Sequence, residues 1–144
     1  MKAALILMAI TLAGAGTVET ETEAAYSEND LYVLSHIISA EAGNCDEEMM
    51  IAVGSVVLNR VNDDRFPDTI EEVVFQRDPV QYAPIEDGNY WKEPVETAVE
   101  VAQMLLEEGP QIPEGVVWQA EFRQGTELYK ELPIPTGGYM YFCY

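Results

Sequence analysis

Glu41 is the residue whose type and position most clearly point to chemistry. It follows Ile38 by three residues, Ile37 by four and Leu34 by seven. Residues at these spacings share one face of a helix, so Glu41 continues an apolar stripe. Burial disfavours the charged form of a carboxyl group and raises its pKa. Such a group can act as a general acid near neutral pH, for example in cleaving a glycosidic bond.

The sequence around Glu41 leaves room for a ligand but also allows a simpler interpretation. The residues next to Glu41 are small: Ala40, Ala42 and Gly43. A bulky substrate could therefore approach the end of this helix. The pattern alone leaves open that Glu41 turns to solvent in a frayed last turn. His36 lies on the opposite side of the helix, and we interpret it as a surface histidine.

Other side chains give little support for a metal site or for a second catalytic acid. The chain has one histidine and two cysteines, which argues against a zinc site, and we expect neither a metal nor a cofactor. Glu47 and Glu48 begin the next predicted helix, where the helix dipole favours acidic residues in any protein. Asp87, in the sequence EDG, is equally well explained as a turn residue.

The elements that would position these residues are mostly helices. The first is predicted to begin after a capping box at Ser27 and to end at Gly43. Asp46 can cap a second helix over 47–61, whose apolar pattern predicts the central buried helix. Further helices are predicted over 70–76 and from Pro94 to Gly109.

The remaining segments predict a small sheet and one long loop. Residues 115–122 and 139–143 have the composition of short strands. Residues 77–93 are rich in proline, glycine and aromatic residues, as is typical of loops that carry function. We therefore predict a single helix-rich α+β domain over 26–144.

Composition and charge exclude several classes of partner. The 144 residues, 48% of them hydrophobic, support one domain with a substantial core. The net charge of −19 argues against binding to nucleic acid or to anionic lipid, both of which require basic patches. We expect a monomer.

The N-terminus is typical of an export signal. Lys2 precedes an apolar run over 3–15 that ends in small residues. We predict a signal peptide and acidic spacer over 1–25, secretion, and no stable membrane span after processing. A buried N-terminal helix or a retained anchor is the alternative. In an exported chain Cys45 and Cys143 suggest one disulfide, with two free thiols as the alternative.

Four segments in order resemble the cell wall hydrolase family that includes the spore cortex-lytic enzymes. They are SAEAGNCDEEMMIAVGSVVLNRV, FPDTIEEVVFQ, VQYAPIEDG and the terminal YMYFCY. The resemblance extends from about residue 30 to the C-terminus. It implies a lysozyme-like fold related to lytic transglycosylases, peptidoglycan as the substrate, the cell wall as the location and Glu41 as the catalytic acid.

The resemblance also implies further site residues. Glu48 matches a second acidic position of the family, and Gln81 and Tyr82 match its loop beside the cleft. Two departures stand out. Asn44 and Cys45 replace a Gly-Glu pair that relatives often have, and VVWQAEF replaces an aromatic segment near the C-terminus.

Side-chain chemistry adds candidates for sugar contacts. The amides of Gln81 and Gln119 can reach hydroxyl or N-acetyl groups. Four aromatic side chains have flat faces suited to sugar rings, although a core position explains each equally well: Tyr82, Tyr90, Trp91 and Trp118. We interpret Asn59 and Arg60 as structural hydrogen-bonding residues behind the cleft.

Three hypotheses follow from the sequence. The leading one is an exported enzyme that cleaves the MurNAc–GlcNAc backbone of peptidoglycan, either as a lytic transglycosylase that needs one glutamate or as a muramidase. The second is a catalytically silent glycan-binding or wall-structural protein on the same fold. The third is a small disulfide-linked exported protein whose resemblance is architectural.

Overall fold

The computed structural model describes residues 25–144. Its helices are α1 (Glu28–Ala42), α2 (Glu47–Val61), α3 (Ile70–Val74), α4 (Pro84–Asp87) and α5 (Glu96–Glu108), with a 3-10 helix at Asn89–Trp91. Its strands are β1 (Trp118–Ala120), β2 (Leu128–Pro133) and β3 (Tyr139–Cys143). The predicted helix-rich α+β class is confirmed. Residues 1–24 of the predicted signal peptide and spacer lie outside the described residues. Within 25–144, no helix is both long enough and apolar enough to cross a bilayer.

Side-chain caps fix where the first three helices begin. Ser27 and Asp30 form the predicted capping box at α1, with both hydrogen bonds 3.0 Å long. Asp46 accepts a 3.0 Å hydrogen bond from the Met49 amide at the start of α2. Thr69 caps α3 in the same way, but this helix ends at Val74, two residues before the predicted end. The caps therefore confirm the predicted starts of α1, α2 and α3.

The core lies where α1, α2 and α5 pack together. Gly54 occupies the crossing point in α2, and a Cβ placed there would collide with side chains of Ile38 and Leu105. Leu34 and Ile37 of α1 are fully buried beside them. The absence of a side chain at position 54 therefore allows the three helices to approach closely.

A small antiparallel sheet covers the C-terminal part of the domain. The strand order is β1-β3-β2, with Gln119 opposite Phe142 and Leu132 opposite Met140. The sequence predicted β1 and β3 but missed β2. Strand β2 is an edge strand that ends at Pro133, and its register shifts between Leu128 and Lys130. Such a strand lacks the regular alternation that marks a strand in sequence.

The segment predicted as a loop folds over the second face of α1 and corrects one prediction. His36 is buried, not at the surface, with 6% of its area exposed. Its Nδ1 lies 2.8 Å from the Tyr90 carbonyl oxygen and donates to it, since a carbonyl oxygen can only accept. The ring also stacks on Tyr32, with 4.0 Å between centroids. Helix α1 is therefore covered on two faces, which helical periodicity alone cannot reveal.

Of the two alternatives that the sequence left open for the cysteines, the structure has the one without a disulfide. Cys45 and Cys143 are both free thiols. Cys45 lies in the turn between α1 and α2 and contacts the side chain of Asn44, whereas Cys143 is buried in β3. The two thiols belong to separate structural elements, each held by its own local contacts.

Candidate active site

Glu41 lies in the last turn of α1, at the edge of the core. It follows Ile37 and Ile38 on the helix, and both of these side chains have no exposed area. Glu41 itself is half-buried. Of the two orientations that the sequence allows, the structure therefore has the one in which the carboxyl group continues the apolar stripe.

The surroundings of Glu41 change its acidity strongly. Its pKa is raised from 4.5 to about 7: burial is the largest cause, the charge of Asp87 also raises the pKa, and the charge of Arg60 lowers it. Loss of hydration is the main cause, because a carboxylate deprived of water is less stable than the neutral acid. At neutral pH both protonation states are therefore well populated, as a group that must give up and then regain a proton requires.

Arg60 is a buried cation next to Glu41. Only 2% of its area is exposed, and its Nε donates a 2.7 Å hydrogen bond to the Val117 carbonyl oxygen. Its guanidinium carbon lies 5.0 Å from the ring centroid of Phe66, 5.4 Å from that of Tyr82 and 5.5 Å from that of Trp118. These rings attract the cation and hold its plane in place.

Tyr82 forms the inner wall of the site and does not present a face to a sugar. It is 1% exposed. Burial raises the pKa of its hydroxyl group, Arg60 lowers it and Glu41 raises it, so the hydroxyl group lies within the electrostatic reach of both. Tyr90 is equally buried, against Phe75 and His36. The core interpretation therefore holds for both tyrosines.

Asp87 brings a second negative charge to Glu41 while it also shapes a turn. Its Oδ1 accepts a 2.9 Å hydrogen bond from the Asn89 amide. Between them Gly88 has a φ of 87°, which favours glycine. The turn therefore fixes the position of a carboxylate whose charge raises the pKa of Glu41.

An open cleft runs beside the end of α1. It has a volume of about 380 Å³, enough for a sugar ring. One wall comes from α1 and the turn after it, and the other from the segment between the 3-10 helix and α5. Its lining residues are Ser39, Ala40, Gly43, Asn44, Asn89, Lys92, Glu93 and Val95. Ala40 and Gly43, the small residues that the sequence suggested leave room for a substrate, line this cleft, whereas Glu41 is not among its lining residues.

Comparison with known proteins places this arrangement in a family. A model of the family described as cell wall hydrolase matches residues 45–120, just over half of the chain. The chain belongs to the cell wall hydrolase family. The resemblance found in the sequence is thereby confirmed. The matched range begins just after the helical turn that carries Glu41.

Proteins similar in sequence to this chain include spore cortex-lytic enzymes. One from Oceanobacillus iheyensis is 35% identical over 85 residues, which are 59% of this chain and 30% of the relative. One from Halalkalibacterium halodurans is 34% identical over 79 residues, 55% of this chain and 23% of the relative. The chain therefore corresponds to less than a third of the length of either relative.

Two solved structures share the fold of this family member. The first is the catalytic domain of the germination-specific lytic transglycosylase SleB from Bacillus anthracis. It has 23% identity, a TM-score of 0.64, and coverage of 83% of this chain and 97% of that one. The second is the catalytic domain of the Bacillus cereus SleB protein, with 24% identity, a TM-score of 0.65, and coverage of 90% and 100%. The predicted lytic transglycosylase-like fold is thereby confirmed.

The other predicted site residues make separate contacts. Gln81 Nε2 donates a 3.3 Å hydrogen bond to the Pro79 carbonyl oxygen. Glu48 is exposed and forms a 2.8 Å ion pair with Lys130, which fits the structural interpretation. Gln119 lies on β1, and its Oε1 is buried without a hydrogen-bond partner among the described residues. The roles of Gln81, Glu48 and Gln119 in substrate binding stay predictions.

Trp91 and Trp118 differ in how much ring surface they leave free. Trp91 is 61% exposed, so its face is open to solvent. Trp118 is half-buried against Phe66 and Arg60. Within residues 25–144, no group of three or more His, Cys, Asp or Glu side chains is placed to hold a metal ion.

Sequence reasoning placed Arg60 behind the cleft as a hydrogen-bonding residue, and its bond to Val117 confirms that part. It missed the influence of Arg60 on Glu41. Arg60 follows Val56 by four residues and Val53 by seven, so it continues the apolar stripe of α2 as Glu41 continues that of α1. The same helical-wheel argument applied to α2 could have found it.

Proposed function

We propose that this chain is an exported lytic transglycosylase that cleaves the MurNAc–GlcNAc backbone of peptidoglycan, with Glu41 as its single general acid and base. The observation that carries the proposal is the half-buried Glu41 carboxyl group in the last turn of α1, whose pKa is raised to about 7. Membership of the cell wall hydrolase family supports the substrate class. The N-terminal sequence supports export.

The reaction would need one carboxyl group acting twice. Protonated Glu41 gives its proton to the glycosidic oxygen, and the bond from that oxygen to C1 of the muramic acid breaks. The Glu41 carboxylate then removes the proton of the 6-hydroxyl group, whose oxygen bonds to C1. The products are a 1,6-anhydro sugar end and a free 4-hydroxyl group. Glu41 ends the cycle protonated, so no water and no second acid are required.

The cleft would hold the glycan strand across the end of α1. Sugar hydroxyl and N-acetyl groups can pair with the amides of Asn44 and Asn89, which line it. We propose Gln81 and Gln119 as further contacts. The strand must lie so that a glycosidic oxygen comes within hydrogen-bond distance of Glu41.

Product analysis tests this function. The purified chain is incubated with vegetative sacculi and, separately, with spore cortex, and the soluble fragments are analysed by mass spectrometry. We expect fragments with 1,6-anhydro ends from at least one substrate. Reducing ends would show a muramidase instead, and the absence of cleavage in both would leave a silent glycan-binding protein.

A matched pair of variants assigns the chemistry to Glu41. Glu41→Gln removes the proton donor but keeps the shape, and we expect it to abolish cleavage. Glu100→Gln makes the same chemical change on the exposed side of α5 and should cleave like the wild type. Cleavage by Glu41→Gln at the rate of Glu100→Gln would remove Glu41 from the mechanism.

A further inference from the structure

Charged and titratable groups from three parts of the fold face Glu41. Arg60 comes from α2, Asp87 from α4, and Tyr82 from the segment before α4. Asp87 is exposed and Tyr82 is buried. Arg60 is the cation of this set, in a chain with 7 basic and 26 acidic residues. Its burial in so acidic a protein therefore needs an explanation.

The fold leaves part of the Arg60 guanidinium unpaired. Its Nε is bonded to Val117, but its Nη1 is buried and has no hydrogen-bond partner among the described residues. The hydroxyl group of Tyr82, whose ring lies under the same guanidinium, is also buried without a partner. An unpaired buried donor destabilises a fold, and more so when it carries a charge. Two such groups at one place indicate a site built for something other than stability.

We propose that Arg60 is a positioning residue, whose fixed guanidinium charge stabilises the Glu41 carboxylate that forms when the leaving oxygen is protonated. The inference rests on the proposed function. It assigns to Arg60 a task in the reaction in addition to its bond with Val117. Arg60 acts through Glu41 and is not proposed to touch the substrate.

The chemistry explains why a fixed positive charge would be useful there. After the first proton transfer Glu41 is an anion, and it must stay an anion until it takes the proton of the 6-hydroxyl group. Burial and Asp87 both oppose that anion, whereas Arg60 favours it. Because three aromatic rings hold the guanidinium in place, its charge needs no reorganisation when the carboxylate forms.

The competing interpretation is that Arg60 serves the fold alone, by bonding α2 to the Val117 carbonyl oxygen. Loss of a purely structural arginine would lower activity at every pH, through loss of folded protein or of geometry. Loss of a charge that acts on Glu41 would instead move the pH at which Glu41 titrates. The two interpretations therefore predict different titration midpoints for Glu41 and not merely different rates of cleavage.

Carbon-13 NMR of the Glu41 carboxyl group, identified by its absence in Glu41→Gln, measures that pH directly. In Arg60→Gln we expect the titration midpoint to rise by about 0.5 pH unit or more, because an opposing charge is removed. Arg60→Lys keeps a positive charge and should stay closer to the wild type. In Arg60→Gln the alkaline limb of the kcat/KM profile should move to higher pH by the same amount as the Glu41 midpoint.

Folding is checked for each variant by circular dichroism. If Arg60→Gln does not fold, citrulline at position 60 replaces it, since citrulline is neutral but keeps the Nε–H that bonds Val117. An unchanged Glu41 midpoint in a folded neutral variant would overturn the proposal. If the midpoint shifts in Arg60→Gln but the wild type never cleaves peptidoglycan, the electrostatic effect of Arg60 on Glu41 stands. That result would overturn both the role of Arg60 in the reaction and the proposed function.

Discussion

The raised pKa of Glu41 predicts that the wild type is less stable than Glu41→Gln above neutral pH. A pKa of about 7 in the folded chain, against 4.5 in the unfolded chain, means that the folded chain holds its proton more tightly. The stabilisation by protonated Glu41 is therefore fully present below pH 4.5 and is lost as the pH rises through 7. Glu41→Gln carries a neutral amide at every pH, so residue 41 causes no loss of stability as the pH rises over this range.

The size of the effect follows from the two pKa values. At about 1.4 kcal/mol for each pH unit, the rise from 4.5 to about 7 corresponds to roughly 3 to 4 kcal/mol in total. The isoelectric point near 4.1 favours precipitation at lower pH, so pH 5 to 8.5 is the practical window. Between pH 5 and 8.5, the stability of Glu41→Gln should gain roughly 2 to 3 kcal/mol relative to the wild type.

Urea unfolding at several pH values between 5 and 8.5 measures this gain. The difference in free energy of unfolding between variant and wild type cancels the titration of all other acidic residues. Glu100→Gln serves as the control, because its exposed side chain should give a difference that hardly changes with pH. A difference for Glu41→Gln that is equally flat would refute the idea that burial raises the pKa of Glu41.

Two further predictions concern the surroundings of the site. Asp87→Asn removes a charge that raises the pKa of Glu41. The alkaline limb of the kcat/KM profile should therefore move to lower pH. A limb that stays at the same pH would mean that Asp87 serves the turn alone. Gly54→Val places atoms against Ile38 and Leu105 and should lower the free energy of unfolding by about 1–3 kcal/mol in urea titrations, whereas an unchanged value would show that the helices move apart freely.

Helical periodicity predicted the parts of the site that lie on one helix. The stripe through Leu34 and Ile38 placed Glu41 at the core edge, and the caps at Ser27 and Asp46 predicted where α1 and α2 begin. These features depend on residues close in sequence, so a local pattern carries them. The chemistry of Glu41 could therefore be suggested before its neighbours were known.

Long-range packing accounts for what the sequence could not predict. His36 is buried because the segment around Tyr90 folds over it, and nothing near position 36 in the sequence signals that contact. Strand β2 pairs along one edge, so its pattern is irregular. The electrostatic effect of Asp87 and Arg60 on Glu41 depends on three elements meeting at one place. Each of these depends on tertiary contacts and not on local propensity.

The pH dependence of kcat/KM on a defined peptidoglycan oligosaccharide tests the central claim most directly. If Glu41 must be protonated to donate to the leaving oxygen, kcat/KM should fall about tenfold for each pH unit above about 7. The products should carry 1,6-anhydro ends, and Glu41→Gln should show no turnover at any pH. A wild-type profile that stays level from pH 6 to 9, or turnover by Glu41→Gln, would contradict the account.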